Sequence, residues 1–265
     1  MFPESASEMF APFIVGGGLV FTRVASTLLV VPGFAQGTLP TRARALIALL
    51  MTGMINMGIG FAHVPLPDTA ITLGIMVARE VMIGVGMGLA VRMILAAVEA
   101  AGAIAGINMG LSLNVFVDPT SGEETMTLGS LMSVCAALMF ISMDGHHLVI
   151  TGLFHHLQQF PVGQSLWFGP SLEVLMEISS RICVTAVILA SPVLVVTLLL
   201  NVALALISRV VPSVNLFGIG LGLLTFTGMV SLAFEGEAIL VFVQRSIETL
   251  PSDMWNMSGM TDPGT

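Results

Sequence analysis

Apolar residues in this chain run in long stretches, and polar residues collect between them. A segment that crosses a bilayer needs about 20 consecutive, mostly apolar residues. Four stretches carry no Asp, Glu or Arg: residues 45–67, 125–143, 182–208 and 210–234. Two more are apolar but interrupted by charge: 9–31, with Arg23, and 71–107, with Arg79, Glu80, Arg92 and Glu99. The pattern predicts an all-α membrane protein of about six apolar helices. Turn-forming residues mark the borders. Pro32-Gly33 closes the first segment, Pro40 precedes the second, and a run from Val64 to Asp68 with two prolines separates the second from the third. Asp118-Pro119-Thr120-Ser121-Gly122 reads as a turn, Asp144-Gly145 as a further break, and residues 155–181 as the most polar connection. Val211 to Asn215 makes a helical hairpin of the last two segments. Beyond about Gln244 the chain is polar and acidic, and loose order is expected there. Segment 71–107 is too long for one straight span, so it is either a protruding helix or two helical pieces.

Composition sharpens this picture. Hydrophobic residues make up 55% of the chain and charged residues 9%, with a mean hydropathy of +1.00. A soluble domain carries about 25% charged residues. A chain this poor in charge cannot cover a water-facing surface, so its outside must meet lipid or other apolar subunits. The net charge of −8 excludes nucleic acid as a partner, because that needs a basic footprint. All eight basic residues are Arg. Arg42, Arg44 and Arg209 fall on the same side of a six-segment arrangement, and the positive-inside rule makes that side cytoplasmic and both termini external. The N-terminal MFPESASEMF has acids and no basic region, so the first apolar segment is expected to be retained as a span.

The polar residues inside apolar segments are the first candidates for function. Arg79, Glu80, Arg92 and Glu99 are expected to be buried charges, either packing partners within a bundle or the lining of a hydrated passage. Small residues recur at spacing four, where helix backbones can approach closely: Gly84 with Gly88, Gly102 with Gly106 and Gly110, Gly218 with Gly222. These rows serve packing within the chain or against other subunits. Cys135 and Cys183 lie in apolar stretches and read as small buried side chains. His146-His147 and His155-His156 read as interfacial polar residues, since adjacent positions on a helix diverge by about 100° and do not converge on one ion. The sequence contains no GxxxxGK[ST], HExxH, GxSxG or CxxC motif, so no catalytic residue, metal ligand or cofactor is assigned.

The stretch GAIAGINMGLSLNVFVDPTSGEE, from Gly102 to Glu124, begins as a close-packing helix face and ends in a polar turn. Irregular backbone at membrane depth is tolerated only where protein buries it or water reaches it. This segment is therefore either a surface loop or a re-entrant loop occupying a passage. The bulky residues of 111–117 favour the second reading.

Five blocks in order make the chain resemble the FliR family of flagellar biosynthesis proteins, whose injectisome relatives are called SctT. They are residues 21–49 (FTRVASTLLVVPGFAQGTLPTRARALIAL), 78–92 (AREVMIGVGMGLAVR), 106–122 (GINMGLSLNVFVDPTSG), 143–150 (MDGHHLVI) and 190–220 (ASPVLVVTLLLNVALALISRVVPSVNLFGIG). The resemblance implies a non-enzymatic core subunit of a type III protein export gate in the bacterial inner membrane, at the base of the flagellar basal body. Its implied partners are FliP and FliQ homologues, with FlhB and FlhA homologues beside them, and unfolded flagellar proteins as cargo. It implies a FliP-like part over residues 9–150, a polar connection at 151–181, a FliQ-like hairpin at 182–247 with Arg209, Pro212 and Asn215 at its tip, and a polar tail at 248–265. The family's plug loop falls on Asn108, Met109, Gly110, Leu111, Ser112, Leu113, Asn114 and Val115, and continues through Phe116, Val117, Asp118, Pro119, Thr120, Ser121 and Gly122. The competing reading is a small-solute or ion transporter, which would function alone and carry a site of convergent charges.

Overall fold

A computed structural model describes residues 6–31, 40–111, 128–163, 172–210 and 216–258. These form eight helices and connecting turns, with no strand among the described residues. The helices are α1 (Ala6–Val30), α2 (Thr41–Ile59), α3 (Ala70–Asn108), α4 (Leu128–Ser142), α5 (Gly145–Gln159), α6 (Leu172–Val210), α7 (Leu216–Glu248) and α8 (Leu250–Ser258). Five contain a stretch long and apolar enough to cross a membrane: Phe10–Val30, Thr41–Ile59, Ala70–Asn108, Ser179–Val210 and Gly218–Glu248. The pair α4 and α5, broken where Asp144 takes a left-handed conformation (φ 56°), counts as a sixth if it is one span.

Segment 71–107 is one helix, not two pieces. At about 1.5 Å rise per residue its 39 residues extend about 58 Å, well beyond a bilayer core of about 30 Å. The helix stops in a Schellman motif. Gly110 is left-handed (φ 78°), its N–H donates to Ile107 O (3.1 Å), and Leu111 N–H reaches Gly106 O (3.0 Å). The same device ends α2, where Gly60 is left-handed and Phe61 N–H donates to Asn56 O (2.8 Å).

The chain divides into two compact units, interleaved in sequence. The first comprises Met1–Arg92, Asp144–Glu177 and Ile247–Thr265. Its buried residues include Leu19, Val20 and Val24 of α1, Ile55 of α2, Met87 of α3, Leu153 and Leu157 of α5, and Leu250 and Met254 of α8. Contacts here depend on glycine. Residues 61–64 cross α1 at Gly16, where a Cβ would run into the Ala62 carbonyl, and Val64 N–H donates to Pro12 O (3.2 Å). α3 lies on α1 at Gly84 and Gly88: a Cβ at Gly84 would strike Ser26 Oγ, and one at Gly88 would come 2.6 Å from Thr27 O.

The second unit comprises Met93–Met143 and Ile178–Ser246. α3 and α4 touch backbone to backbone, since a Cβ on Gly102 would sit 2.9 Å from the Gly129 Cα and one on Gly129 would sit 2.8 Å from Glu99 O. α6 and α7 meet through Gly220 and Leu204. Both units expose large apolar side chains: Leu50 and Met54 on α2 in the first, Leu198, Leu199, Leu206, Phe226 and Phe234 in the second. Rows of this kind are covered by lipid or by other subunits in a functional protein.

Several sequence expectations are corrected. The chain is helical beyond Gln244 as far as it is described: α7 runs to Glu248, and α8, to Ser258, follows with Leu250, Met254 and Trp255 buried. Its few apolar residues sit at spacings of four and five and pack on α5, which hydropathy averaged over a polar stretch does not register. The connection expected at 155–181 is helical up to Gln159 and again from Leu172. Cys135 and Cys183 are free and exposed, because each lies on an outward face of its helix, where an apolar stretch meets the surroundings instead of a core.

Candidate functional site

One polar cluster stands out in the first unit. Arg23, in the middle of α1, is 2% exposed. Its Nε donates to Glu80 Oε2 of α3 (2.6 Å) and its Nη1 donates to Phe160 O (3.0 Å). The same Nη1 lies 3.2 Å from His156 Nδ1 of α5. A guanidinium only donates, so Nδ1 is the acceptor and the neutral imidazole carries its proton on Nε2. That Nε2 is buried and has no hydrogen-bond partner among the described residues. The ring lies between Trp255 of α8 (centroids 5.1 Å apart) and Phe160 (5.4 Å). The second oxygen of Glu80 accepts from Gly163 N–H (3.3 Å). Ser26 and Thr27 hydroxyls return to Arg23 O (3.0 and 2.8 Å), on the side where Gly84 admits α3.

This cluster binds four elements and the 160–163 turn into one body. A buried ion pair is costly to desolvate, and the cost is offset here by further bonds of Arg23 to Phe160 O and His156 Nδ1 and of Glu80 to Gly163 N–H. The arrangement ties α1, α3, α5 and α8 together through Arg23, Glu80, His156 and Trp255. Among the described residues no group of three His, Cys, Asp or Glu side chains could hold a metal ion.

The four charges expected to be buried divide. Glu80 is buried and Arg79 half-buried, whereas Arg92 and Glu99 are exposed. Their spacing of seven puts them on one face, flanking the stripe of Val91, Leu95, Val98, Ala101 and Ala105 that the fold buries. The expectation of a buried Arg92 and Glu99 is thus corrected for this chain. Sequence reasoning did not place His156 in a core, having taken it for interfacial. It also passed over Glu235, which begins just after the uncharged run 210–234. Glu235 is 5% exposed, with Oε2 unpartnered among the described residues, beside a cavity of about 560 Å³ lined by Pro192, Phe226, Thr227 and Ser231. A carboxylate inside a span-length helix was the available signal.

The described start of the segment expected to form a plug lies in the second unit. Asn108 closes α3, with Nδ2 donating to Ile104 O (2.9 Å). Met109 is fully buried against Gly228 of α7, where a Cβ would collide with its side chain. Thr225 Oγ1 donates to Met109 O (3.0 Å). Leu111 is exposed. Ser112 to Gly122 lie outside the described residues, as do Pro212 and Asn215 of the hairpin tip; Arg209 is exposed in the last turn of α6. Of the glycine rows, Gly84, Gly88, Gly102 and Gly106 all meet a neighbouring helix. Gly218 and Gly222 do not: a Cβ at either has nothing within 4 Å, which corrects the expectation of packing there within this chain. Both sit on faces of α7 turned away from α6, whose contact is made by Gly220 instead.

Comparison with known proteins gives a family match over residues 14–250, to bacterial export proteins, family 1. The flagellar biosynthetic protein FliR of Escherichia coli K12 is 28% identical over 236 residues, covering 89% of this chain and 88% of that protein. FliR of Bacillus subtilis 168 is 25% identical over 257 residues, covering 93% and 96%. The surface presentation of antigens protein SpaR of Salmonella typhimurium LT2 is 26% identical over 247 residues, covering 92% and 88%.

Proposed function

Because this chain belongs to the FliR family of bacterial export proteins, we propose that it is a non-enzymatic core subunit of a flagellar type III protein export gate. In this reading it assembles with FliP and FliQ homologues in the inner membrane, at the base of the basal body, and stands next to FlhB and FlhA homologues. The assembly forms a conduit for unfolded flagellar proteins, with residues 9–150 as the FliP-like part and 182–247 as the FliQ-like hairpin. Residues 108–122 act as the plug: apolar side chains across a narrow lumen exclude water and ions while no substrate is present.

The observation that carries the reading is the family match over nearly the whole helical body, residues 14–250. The exposed apolar rows on both units support it, since a subunit of a larger assembly leaves such surface for its neighbours. A transporter acting alone would need convergent charges at an accessible site, and the Arg23–Glu80 pair is buried and bonded to Phe160 O and Gly163 N–H. The test is affinity purification of the tagged chain in mild detergent, followed by mass spectrometry. FliP and FliQ homologues are expected at stoichiometric levels; recovery of the chain alone, in a form that moves a small solute in proteoliposomes, rejects the assignment.

A further inference from the structure

A second cavity, in the first unit, has one polar end and one apolar end. It holds about 560 Å³, within the roughly 300–1,000 Å³ typical of small-molecule sites. Its walls are Phe21, Ala25 and Leu29 of α1 and Ala48 of α2, and Thr41 and Arg44 close the polar end. Arg44 is poorly satisfied. Its Nη2 makes one long bond to Thr41 Oγ1 (3.3 Å), while Nε and Nη1 are buried without a partner among the described residues. A guanidinium in this state is missing an acceptor of opposite charge.

The chain itself has little to offer. α2 bears no acid, and its first turn, including exposed Arg42, adds positive charge at a helix N-terminus. The connecting residues 32–39 contain no Asp or Glu, and the acid of α1, Glu8, is at the far end of that helix. Leu29 is 52% exposed, so the apolar end opens outward. An occupant must therefore combine an anionic head with an apolar tail and approach from the surroundings of the helix pair.

We propose that this cavity is a binding site for one anionic phospholipid, with its phosphate on Arg44 and the N-terminal turn of α2 and an acyl chain between α1 and α2. The proposal does not depend on the export reading. It requires only that α1 and α2 meet lipid.

The experiment is native mass spectrometry of the delipidated full chain in non-ionic detergent, titrated with dioleoyl-phosphatidylglycerol or dioleoyl-phosphatidylcholine. One phosphatidylglycerol per chain is expected, roughly tenfold more populated than phosphatidylcholine, the order set by a charge-assisted hydrogen bond in a desolvated site. Arg44→Gln is expected to bring phosphatidylglycerol down to the phosphatidylcholine level. Ala45→Trp fills the groove from an exposed position with Arg44 intact, and is expected to reduce both lipids. Millimolar inorganic phosphate is expected to leave the lipid adduct in place. Equal binding of the two lipids overturns the proposal, and so does displacement by phosphate, which would mark a soluble-anion site. If Arg44→Gln loses helical circular dichroism, Ala45→Trp decides: an unchanged phosphatidylglycerol adduct overturns the proposal.

Discussion

Arg23 and Glu80 show what one buried pair does in a chain with so few charges. They are 57 positions apart, and their 2.6 Å contact sets how α3 lies on α1. Removing one partner strands the other in an apolar interior, at a cost of about 3–5 kcal/mol, whereas replacing both with apolar residues of similar size can be close to neutral. Arg23→Leu is therefore expected to lower the midpoint of SDS-induced unfolding strongly, and Arg23→Leu with Glu80→Leu to recover part of the loss. The recovery is incomplete because Phe160 O, Gly163 N–H and His156 Nδ1 also lose their partners. A double variant less stable than Arg23→Leu would show that Glu80 is held by something other than this pair.

At the scale of helices, glycine spacing has two meanings that geometry separates. Gly84 and Gly88 are filled contacts: α1 backbone and side-chain atoms already occupy the place of a Cβ. Gly218 and Gly222 face open space. Gly84→Leu is expected to destabilise the isolated chain by about 1–3 kcal/mol through overpacking. Gly222→Leu is expected to stay within about 0.5 kcal/mol, as exposed substitutions do. Thermal or SDS unfolding of the purified chain checks both. If Gly222→Leu keeps the chain stable but prevents co-purification with FliQ homologues, that face of α7 is an intersubunit contact. α8 makes a related point: a nine-residue helix with a polar sequence is held by Leu250, Met254 and Trp255 against α5, beside the Arg23 cluster.

For the molecule in its assembly, the proposed conduit makes the 108–122 segment the decisive part. Met109 is anchored under α7 through Gly228 and the Thr225 hydroxyl, so the proposed plug leaves the end of α3 from a fixed point. Deleting residues 110–117 is expected to raise ion and small-molecule leak through the assembled complex, read as growth inhibition or dye entry, while leaving assembly with FliP and FliQ homologues intact. Unchanged leak in an assembled complex rejects the plug assignment. A complex that fails to assemble would instead show that the segment is needed to hold subunits together.

The helical, membrane-embedded character of the chain was readable from its residues alone, because runs of about 20 uncharged residues have few other physical uses. The family was readable too, from five ordered blocks. Burial was not. Hydropathy treats a residue facing lipid and one facing protein alike, so it could not tell Glu80 from Arg92, or Gly84 from Gly222. It also could not bring Arg23, Glu80 and His156 together across 133 positions, or see that a polar C-terminal helix covers them. Those decisions belong to tertiary structure, because in a uniformly apolar chain the direction a residue faces depends on which helices touch, and composition carries no record of that.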